Sequence, residues 1–117
     1  QSLNSNIEQL NALNIRPVND PNFNTSLYAE NIYKLIRIRS SFIDGTLWIS
    51  SVICAFNSRS SIARINSDIT NLIQVMTDTR DYINKYLSVV RYNIDNAYFY
   101  NVYFDDNTIA AHNILSS

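Results

Sequence analysis

An all-α fold is what this sequence predicts, and three observations carry the expectation. The stretch 61–95 repeats its apolar residues in sevens: Ile62, Ile65, Ile69, Leu72, Met76, Ile83, Tyr86 and Val90 fall on the a and d positions, with Thr79 the one weak seat. Ile73, Leu87 and Ile94 widen this stripe, and polar residues fill much of the opposite face. Helix breakers are scarce, with one glycine (Gly45) and two prolines (Pro17 and Pro21) in the chain. Shorter amphipathic runs stand before and after the long one. These features predict a small helical domain of four to five helices around one long amphipathic helix, about 61–95. Unbroken, that helix is roughly 50 Å long at 1.5 Å per residue. It cannot bury its stripe on itself, so the rest of the chain or another subunit must cover it.

Taken in order, residues 2–14 set Leu3, Ile7, Leu10 and, less regularly, Leu13 on one side of a short helix, with Asn, Gln and Glu opposite. Arg16-Pro17 and Asp20-Pro21 then forbid helix, and an extended loop follows to Asn24, with Val18 and Phe23 placed to pin it to the core. Thr25 or Ser26 suits the N-cap of a second helix, with Glu30 near its start. That helix presents Ile32, Leu35 and Ile36 inward, and it ends across 40–45, where Asp44-Gly45 signals a turn. Thr46 can cap a third helix, 47–56, whose run LWISSVICAF is apolar on nearly every side. Such a helix belongs at the centre of the domain with Trp48 as a core anchor. A buried strand is the competing reading, and the helical surroundings favour helix. Residues 57–61 form a polar turn. The long helix is continuous or breaks at 77–79, where Asp78 could cap a new start. Five aromatics, Tyr98, Phe99, Tyr100, Tyr103 and Phe104, crowd into seven residues and suit either a strand or a last helical turn. Residues 105–107 make a turn, and Thr108 can cap a short terminal helix carrying Ile109, Ile114 and Leu115. The domain thus divides into an N-terminal helix and loop (1–25), a helical core (26–97) and an aromatic tail with a short helix (98–117).

With 117 residues and 46% apolar content, the chain forms one domain with its own core. A net charge of −1 gives no overall pull toward nucleic acid or an anionic membrane. The charges are unevenly placed. Lys34, Arg37, Arg39, Arg59 and Arg64 accompany a single acid, Asp44, whereas Asp78, Asp81, Asp95, Asp105 and Asp106 lie further on. That split suits docking of charged partners, with ordinary solvated helix faces as the competing reading. The one cysteine, Cys54, excludes an internal disulfide and, in its apolar run, reads as a buried inert thiol. No span of eighteen apolar residues predicts a membrane crossing. The chain opens on Gln1 rather than Met, which fits a processed start.

Catalysis finds little support. His112 is the only histidine, so no His-pair metal site or triad is expected within one chain; a surface or packing role is expected. Asp78/Asp81 reads as a helix start and Asp105/Asp106 as a turn rather than acid–base pairs. There is no phosphate loop and no cysteine cluster. We therefore expect no enzyme, no catalytic residues, no metal and no cofactor. The sharper signal is for protein contact, through Ile69, Leu72, Met76 and Ile83 on the heptad stripe and Tyr98, Tyr100, Tyr103 and Phe104 in the tail. Closure of the chain's own core is the alternative for the tail. Lys34, Arg37 and Arg39 form a basic cluster suited to an acidic protein more than to nucleic acid, and any nucleic-acid contact is expected to be non-specific.

Two segments, LNIRPVNDPNFNTSLYAENIYKLIRIRSS (13–41) and DGTLWISSVICAFNSRSS (44–61), resemble the small nucleocapsid-associated proteins of baculoviruses, as do the length and the Asn, Ile and Tyr bias. The resemblance implies a structural component of the virion nucleocapsid, in a hetero-complex with other capsid proteins and active in the host cell nucleus. It also implies an indirect link to host actin, and it carries over no site residues. The residues themselves lead to a kindred expectation: a structural protein that packs its long helix and aromatic tail on other subunits. A helical adaptor or regulator that takes a host peptide in a groove is the rival.

Overall fold

Capping residues decide where the helices begin, and the computed structural model, which describes residues 3–57 and 63–117, shows four of them. They are α1 (Leu3–Asn11), α2 (Thr25–Asn57), α3 (Ala63–Asn96) and α4 (Asp106–Ser116), and no strand occurs among the described residues. The chain is an all-α domain, as its sequence predicts.

The cap of α2 is Asn24, one residue before the expected Thr25 or Ser26. Its side-chain oxygen accepts the Leu27 N–H at 2.9 Å and its carbonyl accepts the Tyr28 N–H at 2.9 Å. Glu30 consequently lies beyond the first turn, where it meets Lys34 at 3.8 Å. The expected stop at 40–45 does not occur. α2 runs 33 residues through Asp44 and Gly45, absorbing the expected third helix. Gly45 has no positive φ, so it does not adopt the left-handed conformation that ends a helix, and a lone mid-helix glycine costs only about 1 kcal/mol. Thr46 is no cap: its hydroxyl donates back to the Ile43 carbonyl at 2.8 Å.

α3 is continuous across 77–80. Asp78 accepts a hydrogen bond from Gln74 Nε2 at 2.8 Å instead of capping, and the Thr79 hydroxyl returns to the Val75 carbonyl at 2.7 Å. The aromatic segment resolves into two parts. Residues 97–101 add a tightened turn, closed by the Val102 N–H on the Ala97 carbonyl (2.9 Å) and the Asn101 N–H on the Tyr98 carbonyl (3.1 Å). That is a Schellman closure with Asn101 at its left-handed position, φ 58°. Residues 102–105 then extend. Asp105, not Thr108, caps α4, accepting the Thr108 N–H at 2.8 Å, so Asp106 and Asn107 belong to the first helical turn. Of the expected turn at 57–61, Asn57 belongs to α2 and 58–61 lie outside the described residues.

α2 and α3 run antiparallel as a hairpin, and α1 and α4 each pack against both without meeting each other. The shape is elongated, 59 × 23 × 20 Å, and the core sits toward one end. Leu10, Ile32, Leu35, Ile38, Ile83 and Val90 form its centre, joined by Tyr28, Ala111 and Leu115. The irregular connector between α1 and α2 has no ladder of its own, so side chains of the long helices satisfy its backbone. Asn31 accepts the Asn14 N–H (2.9 Å), and Asn93 accepts the Val18 N–H (2.8 Å) while donating to the Arg16 carbonyl (2.9 Å). The Tyr86 hydroxyl reaches the Leu10 and Leu13 carbonyls at 2.9 and 3.2 Å. Val18 and Phe23 do pin this loop to the core.

The run 47–56 is not enclosed at the centre. Leu47 is 66% exposed, Trp48 68%, and Cys54 is exposed as well; only Ile49 of its described side chains is buried. Continuity of α2 is the cause. α1 has nine residues, and α4 ends level with Arg39, whose guanidinium reaches the Ile114 and Leu115 carbonyls at 3.0 and 3.3 Å. Beyond that level the outer face of α2 has no covering helix among the described residues, and the hairpin projects as an arm.

Candidate docking surfaces

The arm is the first surface. Ile43 and Leu47 are one helical turn apart on α2 with Trp48 beside them, and all three are exposed, as is Ile73 on α3. Ile69, Leu72 and Met76 are half-buried along the same part of α3. Monomeric proteins scatter single apolar residues over their surfaces, but large side chains gathered on one element are characteristic of interfaces.

The second surface is the turn after α3. Tyr98 is 81% exposed and Phe99 77%, because a tight capped turn has no inward side for consecutive rings. Tyr98 meets Tyr103 edge-to-face at 6.4 Å, and Phe99 meets Tyr100 likewise at 5.0 Å. The tyrosine hydroxyls of residues 92 and 100 are 3.5 Å apart. Phe104 points the other way. It packs against Tyr28 at 5.4 Å and His112 at 4.8 Å, so it serves the domain's own core. Ile83 is likewise buried in that core. Of these two residues, both expected at an interface, Ile83 is buried in the folded chain and Phe104 is half-buried.

A third feature is a groove of about 530 Å³ between α1 and α2, floored by Ala12, Leu13 and Ile38 and edged by Lys34 and Arg37. The three basic residues of α2 separate here. Lys34 leans on Glu30, Arg39 holds the end of α4, and Arg37 is exposed with no ion pair among the described residues. Sequence reasoning missed Ile43, Leu47, Trp48 and Phe99 as exposed surface. For Leu47 and Trp48 the signal was present in the run 47–56, apolar on nearly every side, which fits an uncovered helix as well as an enclosed one.

The buried polar cluster is structural in form. Tyr28 Oη and His112 Nε2 are 2.7 Å apart, joining α2 to α4; with the ring neutral and Nε2 bare, the hydroxyl donates. Burial pushes the Tyr28 hydroxyl up to about 12, partly offset by the Asn93 amide, and burial holds the His112 imidazole below its usual 6.5. The sign follows from linkage. Above pH 6.5 the ring is neutral whether folded or unfolded; below it, the unfolded chain takes the proton first and the fold loses stability. Urea midpoints should thus fall as pH drops from 7.5 to 5, and His112→Gln should flatten that fall. Equal slopes for both proteins would remove His112 as the cause. Among the described residues no group of three His, Cys, Asp or Glu could hold a metal ion, and no helix is long and apolar enough to cross a membrane. No protein-family model matches the chain, and no curated protein or solved structure matches it either.

Proposed function

We propose that this chain is a non-enzymatic structural or assembly protein that docks on other structural proteins through the arm of the α2–α3 hairpin. The observation that supports the reading is the exposure of Leu47 and Trp48 beside Ile43 on a helix face with no covering element among the described residues. Tryptophan and large aliphatics on such a face are the residue types that dominate binding energy at protein interfaces. The likeness of segments 13–41 and 44–61 to baculovirus nucleocapsid-associated proteins extends the proposal: the partners are capsid proteins, and the complex acts in the virion nucleocapsid and host nucleus.

The test is the absolute mass of the chain mixed with each candidate capsid protein, for the native sequence and for Leu47→Ser/Trp48→Ser. Both substituted side chains are exposed, so folding should change by about 0.5 kcal/mol or less per site. The native chain should form a larger species that the double variant loses while keeping its helical circular dichroism. Complexes equally abundant with both chains, or with neither, would overturn the reading.

A further inference from the structure

We infer that the chain also binds a second copy of itself, the acidic aromatic turn of one molecule seating in the basic groove between α1 and α2 of the next. This contact is separate from the arm and does not use Leu47 or Trp48. Both halves of the complementarity are present on each molecule. The turn presents Tyr98, Phe99 and Tyr103 to solvent, flanked by exposed Asp95 and Asp106, neither of which has an ion pair among the described residues. From Tyr92 to the end of the chain there are three acids and no lysine or arginine. The groove carries the opposite character: an apolar floor of Ala12, Leu13 and Ile38, with the unpaired Arg37 and the Glu30-paired Lys34 on its rim and no acid in its lining.

The chemistry fits on size and on charge. A groove of about 530 Å³ lies within the range of sites that enclose small aromatic ligands, so it can accept the rings at the tip of the turn. Burying those rings removes apolar area from water, and Arg37 gains a carboxylate in a partly desolvated setting where such a pair outweighs an exposed one. A molecule cannot satisfy its own groove this way. The turn lies at the end of the hairpin where α2 begins and α3 finishes, whereas the groove opens between the end of α1 and the middle of α2, and the connector, held on Asn93 through Arg16 and Val18, runs from the groove toward that end. Each copy therefore offers both a free turn and a free groove. The patches are unlike, so the contact is heterologous.

Light scattering across a concentration series, in low and high salt, reads this directly. The native chain should gain mass with concentration, and 0.5 M salt should weaken that gain as the charges are screened. Lys34→Glu/Arg37→Glu and Asp95→Lys/Asp106→Lys should each remain monomeric alone. Mixed in equal amounts, the two variants pair a reversed turn with a reversed groove as well as leaving one matched set of opposite sign, so association should return. Tyr98→Ser/Phe99→Ser, whose side chains are exposed, should be monomeric at every salt concentration. A native chain that stays monomeric, or variants that self-associate like the native chain, would overturn the contact. A mixture that stays monomeric would overturn the pairing of these two patches. None of these outcomes touches the arm, whose own variants keep groove and turn intact.

Discussion

Asn93→Leu should cost the domain about 3 kcal/mol, lowering the urea midpoint without changing the slope of the transition. Asn93 is fully buried, and its side chain makes two hydrogen bonds at once to the connector: it accepts from Val18 N–H and donates to the Arg16 carbonyl. Leucine has a similar volume and leaves no cavity to speak of, so the loss isolates the polar term. Val18 is itself buried, and its orphaned N–H cannot recover a water molecule without opening the connector. Each unsatisfied buried group costs about 1–3 kcal/mol, which is why one amide carries so much. Asn93→Asp should be no milder. It keeps the acceptor, loses the donor and places a charge in a site with no cation to meet it. A leucine variant within 0.5 kcal/mol of the native protein would show that the connector is held by its apolar pins, Val18 and Phe23, rather than by the amide.

Leu35→Ala should be as damaging for a different reason. Leu35 is completely buried among the side chains where all four helices converge, and truncation there removes transfer energy and leaves a void that rigid helices cannot collapse. Such substitutions cost about 2–5 kcal/mol, a large share of the 5–15 kcal/mol typical of a domain. A melting temperature lower by roughly 10 °C or more is expected. The matched control is Leu47→Ala, the same change twelve positions along the same helix, where the side chain is exposed and the effect should stay within about 0.5 kcal/mol. Equal effects at the two positions would contradict the placement of the core at one end of the hairpin.

Periodicity made the long helix legible, because its heptad stripe extends over nine turns and nothing in 63–96 competes with it. The proline pair similarly announced the irregular connector. Punctuation was harder to read. Asp44-Gly45 carries the composition of a turn, yet a turn also needs something to reverse onto, and burial of Ile49 in line with Ile38 rewards continuing the helix. That one misreading moved Trp48 from an expected core anchor to the surface, since an enclosed helix and an uncovered one share the same apolar pattern. Polar residues misled in the other direction. Asn31 and Asn93 look like solvent-facing positions in a helix, but they are buried because a loop elsewhere in the chain needs their amides. Long-range demand of this kind leaves no local trace. The aromatic segment held both of its readings open for a related reason: the left-handed Asn101 that closes the turn sits among seven residues, 98–104, whose aromatics suit several geometries.

The stitching of the connector to α3 also sets an order of events during synthesis. Asn93 lies 75 residues after Val18, and His112 lies 84 after Tyr28, so the connector and the start of α2 find these anchors only after α3 and α4 have been made. A chain emerging from the ribosome can wind α2 early and lay it on α1, but Leu35 and Ile38 lack most of their cover until α3 and α4 are out. Closure of this core therefore waits for α3 and α4, and until they emerge the Ile32, Leu35 and Ile38 stripe of α2 is covered by α1 alone, a state that a chaperone can hold.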